Sequence, residues 1–170
     1  MEPPEPGFIH LLNRVVDMKG EEVGLMDQTA KRSLELFDSG LWCAESVLLA
    51  ISETQGVKSD LIPKIATGFC SGMARTGGQC GALSGAIMGI SLMTGRSTAS
   101  DTIEDTYSKV SELRRAFASK YGTTDCSELL GVDLATDEGQ TAFLEGNLVE
   151  KCGEYTEQAA RMAMSLLEEA

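Results

Sequence analysis

Cysteine is the residue type on which strong chemistry in this chain would depend. The sequence contains five cysteines, namely Cys43, Cys70, Cys80, Cys126 and Cys152. It contains one histidine, His10, in its proline-rich start, so a Cys–His or Ser–His nucleophile is not indicated. Four of the cysteines fall at or near predicted helix starts, where the partial positive charge stabilises a thiolate. Because the thiolate attacks disulfides and binds metals, the sequence predicts redox or metal chemistry at sulfur.

The spacing of these cysteines excludes two familiar sites. Cys43 and Cys80 each follow a glycine-containing segment at a predicted helix start, and Cys126 follows Asp125. Cys152 lies about one turn into the last predicted helix. No Cys-x-x-Cys is present, which excludes a thioredoxin-type site, and zinc-finger spacing is absent too. Cys80 and Cys126 have the best positions for an activated thiol.

Composition limits the class of protein. The chain has 170 residues, 42% of them apolar, which suits one globular domain. A formal charge of −12 argues against nucleic acid and against anionic membrane surfaces as partners. No signal peptide is visible, and the longest apolar stretch, Ala82 to Met93, is too short to span a bilayer. We therefore expect a cytoplasmic protein, in whose reducing compartment cysteines are metal-binding, catalytic or buried rather than locked in disulfides.

Helical periodicity extends through nearly the whole chain after the first two dozen residues. Residues 1–24 are predicted to be an extension, partly disordered or with a short peripheral helix from Ile9 to Val16. Residues 25–170 are predicted to form a four-cysteine domain, and no strand is expected because β-branched residues never alternate over a useful length. The expected fold class is therefore all-α, a single-domain helical bundle with a glycine-rich central helix and loop.

The predicted helices and the loop between them place the cysteines. The longer helices are expected from Leu41–Cys43 toward Gly56, over Gln79–Met93, over Ser100–Tyr121, and over Asn147–Leu167. The helix over Ser100–Tyr121 is expected to turn one face inward, comprising Ile103, Tyr107, Val110, Phe117 and Tyr121. The segment Gly68–Gly78 is predicted to be a long irregular loop, and it lacks the Gly-Lys-Ser/Thr ending of a phosphate-binding loop.

A stripe of glycines follows Cys80. Gly81, Gly85 and Gly89 recur at every fourth position of a predicted helix. Each glycine inside a helix costs about 1 kcal/mol relative to alanine, so close approach by another helix is the expected compensation. One interpretation is packing alone. The other is that the close approach brings Cys80 beside sulfur atoms from other helices.

Several segments recur in the order found in one protein family. The matching segments are Trp42-Cys43-Ala44-Glu45-Ser46-Val47-Leu48, Gly68-Phe69, Cys80-Gly81-Ala82-Leu83-Ser84-Gly85-Ala86, Tyr121-Gly122, Asp125-Cys126-Ser127-Glu128-Leu129-Leu130-Gly131 and Cys152. In this order they resemble the redox-active proteins named for a Cys, Gly-Cys-Ala-x-x-Gly, Cys, Cys pattern. The core here reads Cys-Gly-Ala-x-x-Gly, and the resemblance covers the chain from about Met26 onward.

The resemblance implies a helical protein that does redox work through four cysteines. Carried over residue by residue, these are Cys43, Cys80, Cys126 and Cys152. Cys70 departs from the pattern, because glycine is the more usual residue in that stretch. Cys70 is compatible with an additional ligand, a resolving thiol or a small buried residue, and we favour the last.

Three hypotheses for function follow. In the first, the four thiols cycle between reduced and oxidised forms, or hold a centre that does, and one thiolate attacks while a neighbour resolves; this needs Cα atoms within about 7 Å. In the second, the same four cysteines hold an iron–sulfur cluster or a zinc ion. In the third, the chain is a helical structural or interaction protein with inert buried thiols. The partner would be a redox protein or a small-molecule substrate, and small-residue helix faces are compatible with a homodimer.

Overall fold

Seven right-handed α-helices and one short left-handed segment, α3, account for most of the chain in the computed structural model, which describes residues 15–16 and 22–168. They are α1 (Leu25–Asp38), α2 (Cys43–Thr54), α3 (Cys70–Arg75), α4 (Gly81–Thr94), α5 (Glu104–Tyr121), α6 (Cys126–Leu130), α7 (Asp137–Glu145) and α8 (Val149–Glu168), with a 3-10 helix at Lys64–Phe69. The predicted all-α class is confirmed. None of the described helices has the length and apolar character needed to cross a membrane.

Two very short strands precede the first helix. Strand β1 (Val15–Val16) pairs antiparallel with β2 (Glu22–Val23). The prediction of a helix over Ile9–Val16 is therefore wrong for Val15 and Val16, which form β1. Residues 9–14 lie outside the described part of the chain. β-branched valines favour extended backbone, which explains the preference for a strand at this point.

The core forms where α8 packs against α1, α2 and α4, and where α2 packs against α4. Helix α5 lies across α4 and α8 and buries Leu113 and Phe117. Tyr107, predicted to face inward, is 64% exposed, so that prediction is wrong. The first turn of α5 is instead attached through Thr106, whose hydroxyl donates to the Thr94 carbonyl at 2.6 Å. Tyr107, the next residue, is rotated away by about 100° in an α-helix of 3.6 residues per turn.

The glycine stripe is the surface on which α4 meets α2. A Cβ placed on Gly85 would lie 2.5 Å from the Ala44 carbonyl oxygen and 3.0 Å from the Ala44 Cα. One placed on Gly89 would lie 2.6 Å from the Ile51 Cδ1. The close helix approach expected from the sequence is therefore present, and any side chain here would force the two helices apart.

We expect Gly85→Ala to destabilise the protein by about 1–3 kcal/mol, the usual cost of overpacking a core. The new methyl group would meet backbone atoms of α2, which cannot rotate away, and this outweighs the gain of about 1 kcal/mol in helix propensity. Urea unfolding followed by circular dichroism measures the change. Gly68→Ala is the control, because a Cβ there meets nothing within 4 Å. Equal stabilities for the two variants would contradict the packing described for Gly85.

Candidate functional site

One cavity of about 200 Å³ collects cysteines from four distant segments of the chain. Its lining includes Cys43, Cys80, Cys126 and Cys152. Helices α2, α6 and α8 each contribute one of these residues, and Cys80 immediately precedes α4. The structure thus brings together the four cysteines selected from the sequence.

A short backbone ladder places Cys80 beside Cys126. The Cys80 N–H donates to the Thr124 carbonyl at 2.8 Å, and the Cys126 N–H donates to the Gly78 carbonyl at 2.8 Å. Gln79 and Asp125 are the bridge partners between these two bonds. Cys80 and Cys126 are therefore diagonal neighbours on one face of the ladder, where Cα atoms are typically about 7 Å apart. A disulfide between them would require the two segments to move closer, because bridged Cα atoms are usually about 4.4–6.8 Å apart.

Helix packing places the other two cysteines of the cavity. Cys43 is the first residue of α2, and its Sγ lies against the point where Gly81 would carry a Cβ. Cys152 lies in the first turn of α8, as expected, and is half-buried. A thiolate at Cys80 or Cys126 would repel a thiolate at Cys152 and so raise the pKa of Cys152. These three sulfur atoms are therefore close enough to interact electrostatically.

Apolar and aromatic side chains make most of the remaining cavity wall. They are Phe37, Trp42, Leu129, Leu130, Leu134, Phe143, Leu144 and Tyr155. Tyr155 stacks edge-on against Tyr121 at 4.8 Å between ring centroids, and its hydroxyl donates to the Leu129 carbonyl at 3.4 Å. Trp42 and Leu144 are exposed at 49% and 76%. The wall favours a ligand with an apolar portion over a fully hydrated one.

A left-handed turn carries the one charged residue among those that line the cavity. Ser71, Gly72, Met73, Ala74 and Arg75 have φ angles of 55°, 66°, 58°, 55° and 69°. The predicted irregular loop is thus regular but left-handed over these residues. L-residues avoid this conformation by roughly 1–2 kcal/mol each, and backbone strain of this kind is concentrated at functional sites.

Neighbouring backbone groups hold this turn in place. The Gly78 N–H and the Thr76 hydroxyl both donate to the Gly72 carbonyl at 3.1 Å. A Cβ on Gly72 would lie 2.5 Å from the Cys126 Cβ, so only glycine permits the turn to pack on α6.

The exposed Arg75 guanidinium forms no ion pair with any residue between 22 and 168. Its charge is therefore available to a ligand.

Burial governs the acidity of the cavity thiols. It raises the pKa of Cys80 to about 11, although the N–H groups of Ala82 and Leu83 oppose the rise. Burial also raises the pKa of Cys126, and it raises that of Cys152 to about 12 with added repulsion from Cys80 and Cys126. The acidity expected from helix N-termini is therefore outweighed, and that expectation is wrong for these three thiols. At neutral pH they are protonated.

Cys70 is buried, as the sequence interpretation held, but it is not isolated. Its thiol donates to the Ala66 carbonyl at 3.8 Å, and interaction with the Cys43 thiol, together with burial, raises its pKa. Cys70 is not among the residues that line the cavity.

A metal ion or cluster was the second hypothesis, and it needs sulfur atoms converging on one point. Within residues 22–168, no group of three His, Cys, Asp or Glu side chains is placed to hold a metal ion. The arrangement of these described side chains therefore does not fit a metal ligand set.

Sequence reasoning missed several parts of this site. Helix α7, which brings Phe143 to the cavity, was not predicted, although Thr136 caps it by accepting from the Gly139 N–H at 3.0 Å. Thr136 followed by two acidic residues is a helix-start signal that could have found it. Arg75 carried no sequence signal, because its position depends on a left-handed turn in a segment of mixed small residues.

Comparison with known proteins gives one family and one relative. The family described as "Putative redox-active protein (C_GCAxxG_C_C)" matches residues 41–166. A protein of Archaeoglobus fulgidus, described as an uncharacterized protein, is 27% identical over 153 residues, which cover 84% of this chain and 95% of the relative. No solved structure matches the chain at a significant level.

We expect the stability of the protein to fall as pH rises above about 9. The thiol pKa of Cys80 is raised by folding from 9.0 to about 11, so its contribution is complete below pH 9 and is lost as pH rises toward 11. One such thiol gives a slope of up to about 1.4 kcal/mol per pH unit. Urea unfolding at pH 8 to 10.5 should therefore show a steeper loss for the wild type than for Cys80→Ala. Parallel pH profiles would show that the Cys80 thiol is not perturbed by folding.

Proposed function

We propose that this chain, which belongs to the C_GCAxxG_C_C family, is a redox protein whose cavity thiols exchange with a small-molecule disulfide. The observation that carries the proposal is the convergence of Cys43, Cys80, Cys126 and Cys152 on one cavity. The same cavity is lined by Arg75, which forms no ion pair with any residue between 22 and 168, so thiols and a positive charge face one space.

Cys80 and Cys126 are the exchanging pair in this proposal. They share a face of the Gln79–Asp125 ladder, and a charge on Cys126 would raise the pKa of Cys80, so the two sulfurs interact. One thiol loses its proton and attacks one sulfur of the substrate R–S–S–R, which forms a mixed disulfide and releases RS⁻. The second thiol attacks the protein sulfur of that mixed disulfide, forms the Cys80–Cys126 bond and releases the second RS⁻.

The protein and the disulfide account for every proton and electron in this exchange. The two protons of the cysteines end on the two departing thiolates, giving 2 RSH. The substrate gains two electrons and the protein loses two, so a dithiol reductant returns the protein to its starting state. Because the resting thiols are protonated, the empty cavity would react slowly, and proton transfer to the departing thiolate would accompany the attack.

The cavity also supports a class of substrate. Its volume of about 200 Å³ suits a small molecule or the reactive end of a larger one. The apolar wall would accept the carbon skeleton next to the disulfide, and Arg75 would attract an acidic group. We therefore propose a small disulfide that bears a carboxylate.

We expect Cys80→Ser and Cys126→Ser, each made in a Cys70→Ala background so that Cys43 and Cys70 cannot pair, to lower the rate of disulfide reduction at least 100-fold relative to Cys70→Ala alone. A serine hydroxyl cannot attack or resolve a disulfide under these conditions. The measurement follows oxidised glutathione as the substrate, with dithiothreitol as the reductant, after subtraction of the uncatalysed rate.

Ser52→Ala is the control for this experiment. Ser52 is a buried residue of cysteine-like size in α2 and does not line the cavity. Circular dichroism should show the same helical content in all three variants. Undiminished turnover in both cysteine variants would rule out the pair that we propose.

Arg75→Gln should slow the reaction of the cavity thiols with an anionic disulfide reagent about tenfold, while leaving the reaction with a neutral one nearly unchanged. Electrostatic attraction raises encounter rates by factors of 10 to 10³, and it weakens with added salt. Stopped-flow rates with dithiobis(nitrobenzoate) and with dithiodipyridine measure the two reactions. The same fold-change for both reagents would mean that Arg75 acts on the structure and not on charge.

A further inference from the structure

Cys70 and Cys43 meet at a point separate from the Cys80–Cys126 ladder. Cys43 is the first residue of α2, and Cys70 directly follows the 3-10 helix. Glu45 ties these two elements together, because one carboxylate oxygen accepts from the Thr67 hydroxyl at 2.6 Å and the other from the Trp42 N–H at 2.8 Å. The start of α2 and the end of the 3-10 helix are therefore held side by side.

The absence of a side chain at Gly81 lets these two cysteines approach each other. The position that a Gly81 Cβ would occupy is 3.2 Å from the Cys70 Cα and also contacts the Cys43 Sγ. Both atoms lie against the same point, and negative charge on Cys43 would raise the pKa of Cys70, so the two thiols are close enough to interact. Two cysteines on different elements are thus close neighbours, as the precursors of a disulfide must be.

Backbone N–H groups at the start of α2 also interact with the sulfur of Cys70. The backbone N–H groups of Ala44 and Glu45 favour the charged form of this sulfur, although interaction with Cys43 and burial keep its pKa raised overall. These N–H groups would stabilise a thiolate on Cys70 at the moment when it forms.

Access differs between the two thiols. Cys43 lines the cavity, whereas Cys70 is 6% exposed and does not line it. A molecule in the cavity therefore reaches Cys43 and not Cys70, so Cys43 suits the attacking role and Cys70 the resolving role.

From this proximity we infer that Cys43 and Cys70 form a second dithiol site, which a small-molecule disulfide oxidises to a Cys43–Cys70 disulfide. The inference rests on the proposed function, because the same cavity supplies the substrate. Cys43 attacks R–S–S–R and releases RS⁻; Cys70 then attacks the Cys43 sulfur and releases the second RS⁻. The two cysteine protons end on 2 RSH, and the protein loses two electrons to the substrate.

The consequence is a capacity of four electrons in one chain. Two dithiol pairs, Cys80–Cys126 and Cys43–Cys70, would store twice what one pair stores. Cys70 is not part of the family's four-cysteine pattern, so this second site is a property of the present sequence and is not carried over from the family.

Disulfide mapping of the wild-type protein tests the inference directly. Cleavage after Lys and Arg puts each cysteine in a different peptide, namely residues 33–58, 65–75, 76–96, 121–151 and 152–161 for Cys43, Cys70, Cys80, Cys126 and Cys152. After oxidation by oxidised glutathione, we expect peptide 33–58 linked to 65–75, and 76–96 linked to 121–151. Mass spectrometry with and without reduction identifies the links.

The outcomes separate this inference from the proposed function. Linkage of 76–96 to 121–151 without linkage of 33–58 to 65–75 would overturn the second site and leave the first standing. The reverse result would support the second site and overturn the Cys80–Cys126 pair. Absence of both linkages would overturn both.

Thiol counting in denatured protein gives an independent readout. Full oxidation should remove four thiols from the wild type and four from the control Ser52→Ala, which lies outside the cavity. It should remove three from Cys70→Ala, because Cys43 then keeps half of the substrate as a mixed disulfide. Cys70→Gly, which restores the more usual residue of the family, should behave as Cys70→Ala and guards against a folding defect in one variant. Loss of four thiols from either Cys70 variant would contradict the inference.

Discussion

The approach of α4 to α2 along three glycines is the constraint on which the site depends. Gly85 and Gly89 let the helices touch through backbone and through Ile51, and Gly81 leaves room for the Cys43 sulfur. Glycine costs helix propensity at each of these positions, and burial of Ala44, Val47 and Ile51 against α4 offsets that cost. The same residues that pack the core therefore set the distance between the cysteines.

The second half of the site is built by backbone groups. The ladder on either side of Gln79 and Asp125 brings Cys126 to Cys80, and the left-handed turn before it presents Arg75 to the same cavity. Strained backbone of this kind persists only when its surroundings hold it, here through Gly72 and its contact with Cys126. The two thiols, Arg75 and the strained left-handed turn are therefore held by the same backbone contacts.

Much of the fold and part of the site follow from local sequence. Periodicity predicts the helices, the glycine stripe predicts the close approach, and the cysteines at helix starts mark the residues that line the cavity. The sequence could not show the raised pKa of Cys80, because burial is a tertiary property that here exceeds the effect of the helix N-terminus. It also could not show that Cys70 lies beside Cys43, since 27 positions separate them along the chain and tertiary packing at Gly81 and Glu45 joins them.

The most direct test of thiol exchange in this cavity is a crystal structure of the protein after oxidation by a small disulfide. Our account predicts continuous density between Cys80 and Cys126 with an S–S distance of about 2.05 Å, and reduced sulfurs at the same cavity before treatment. Sulfur atoms that remain apart after full oxidation, or that surround a bound metal ion, would contradict it.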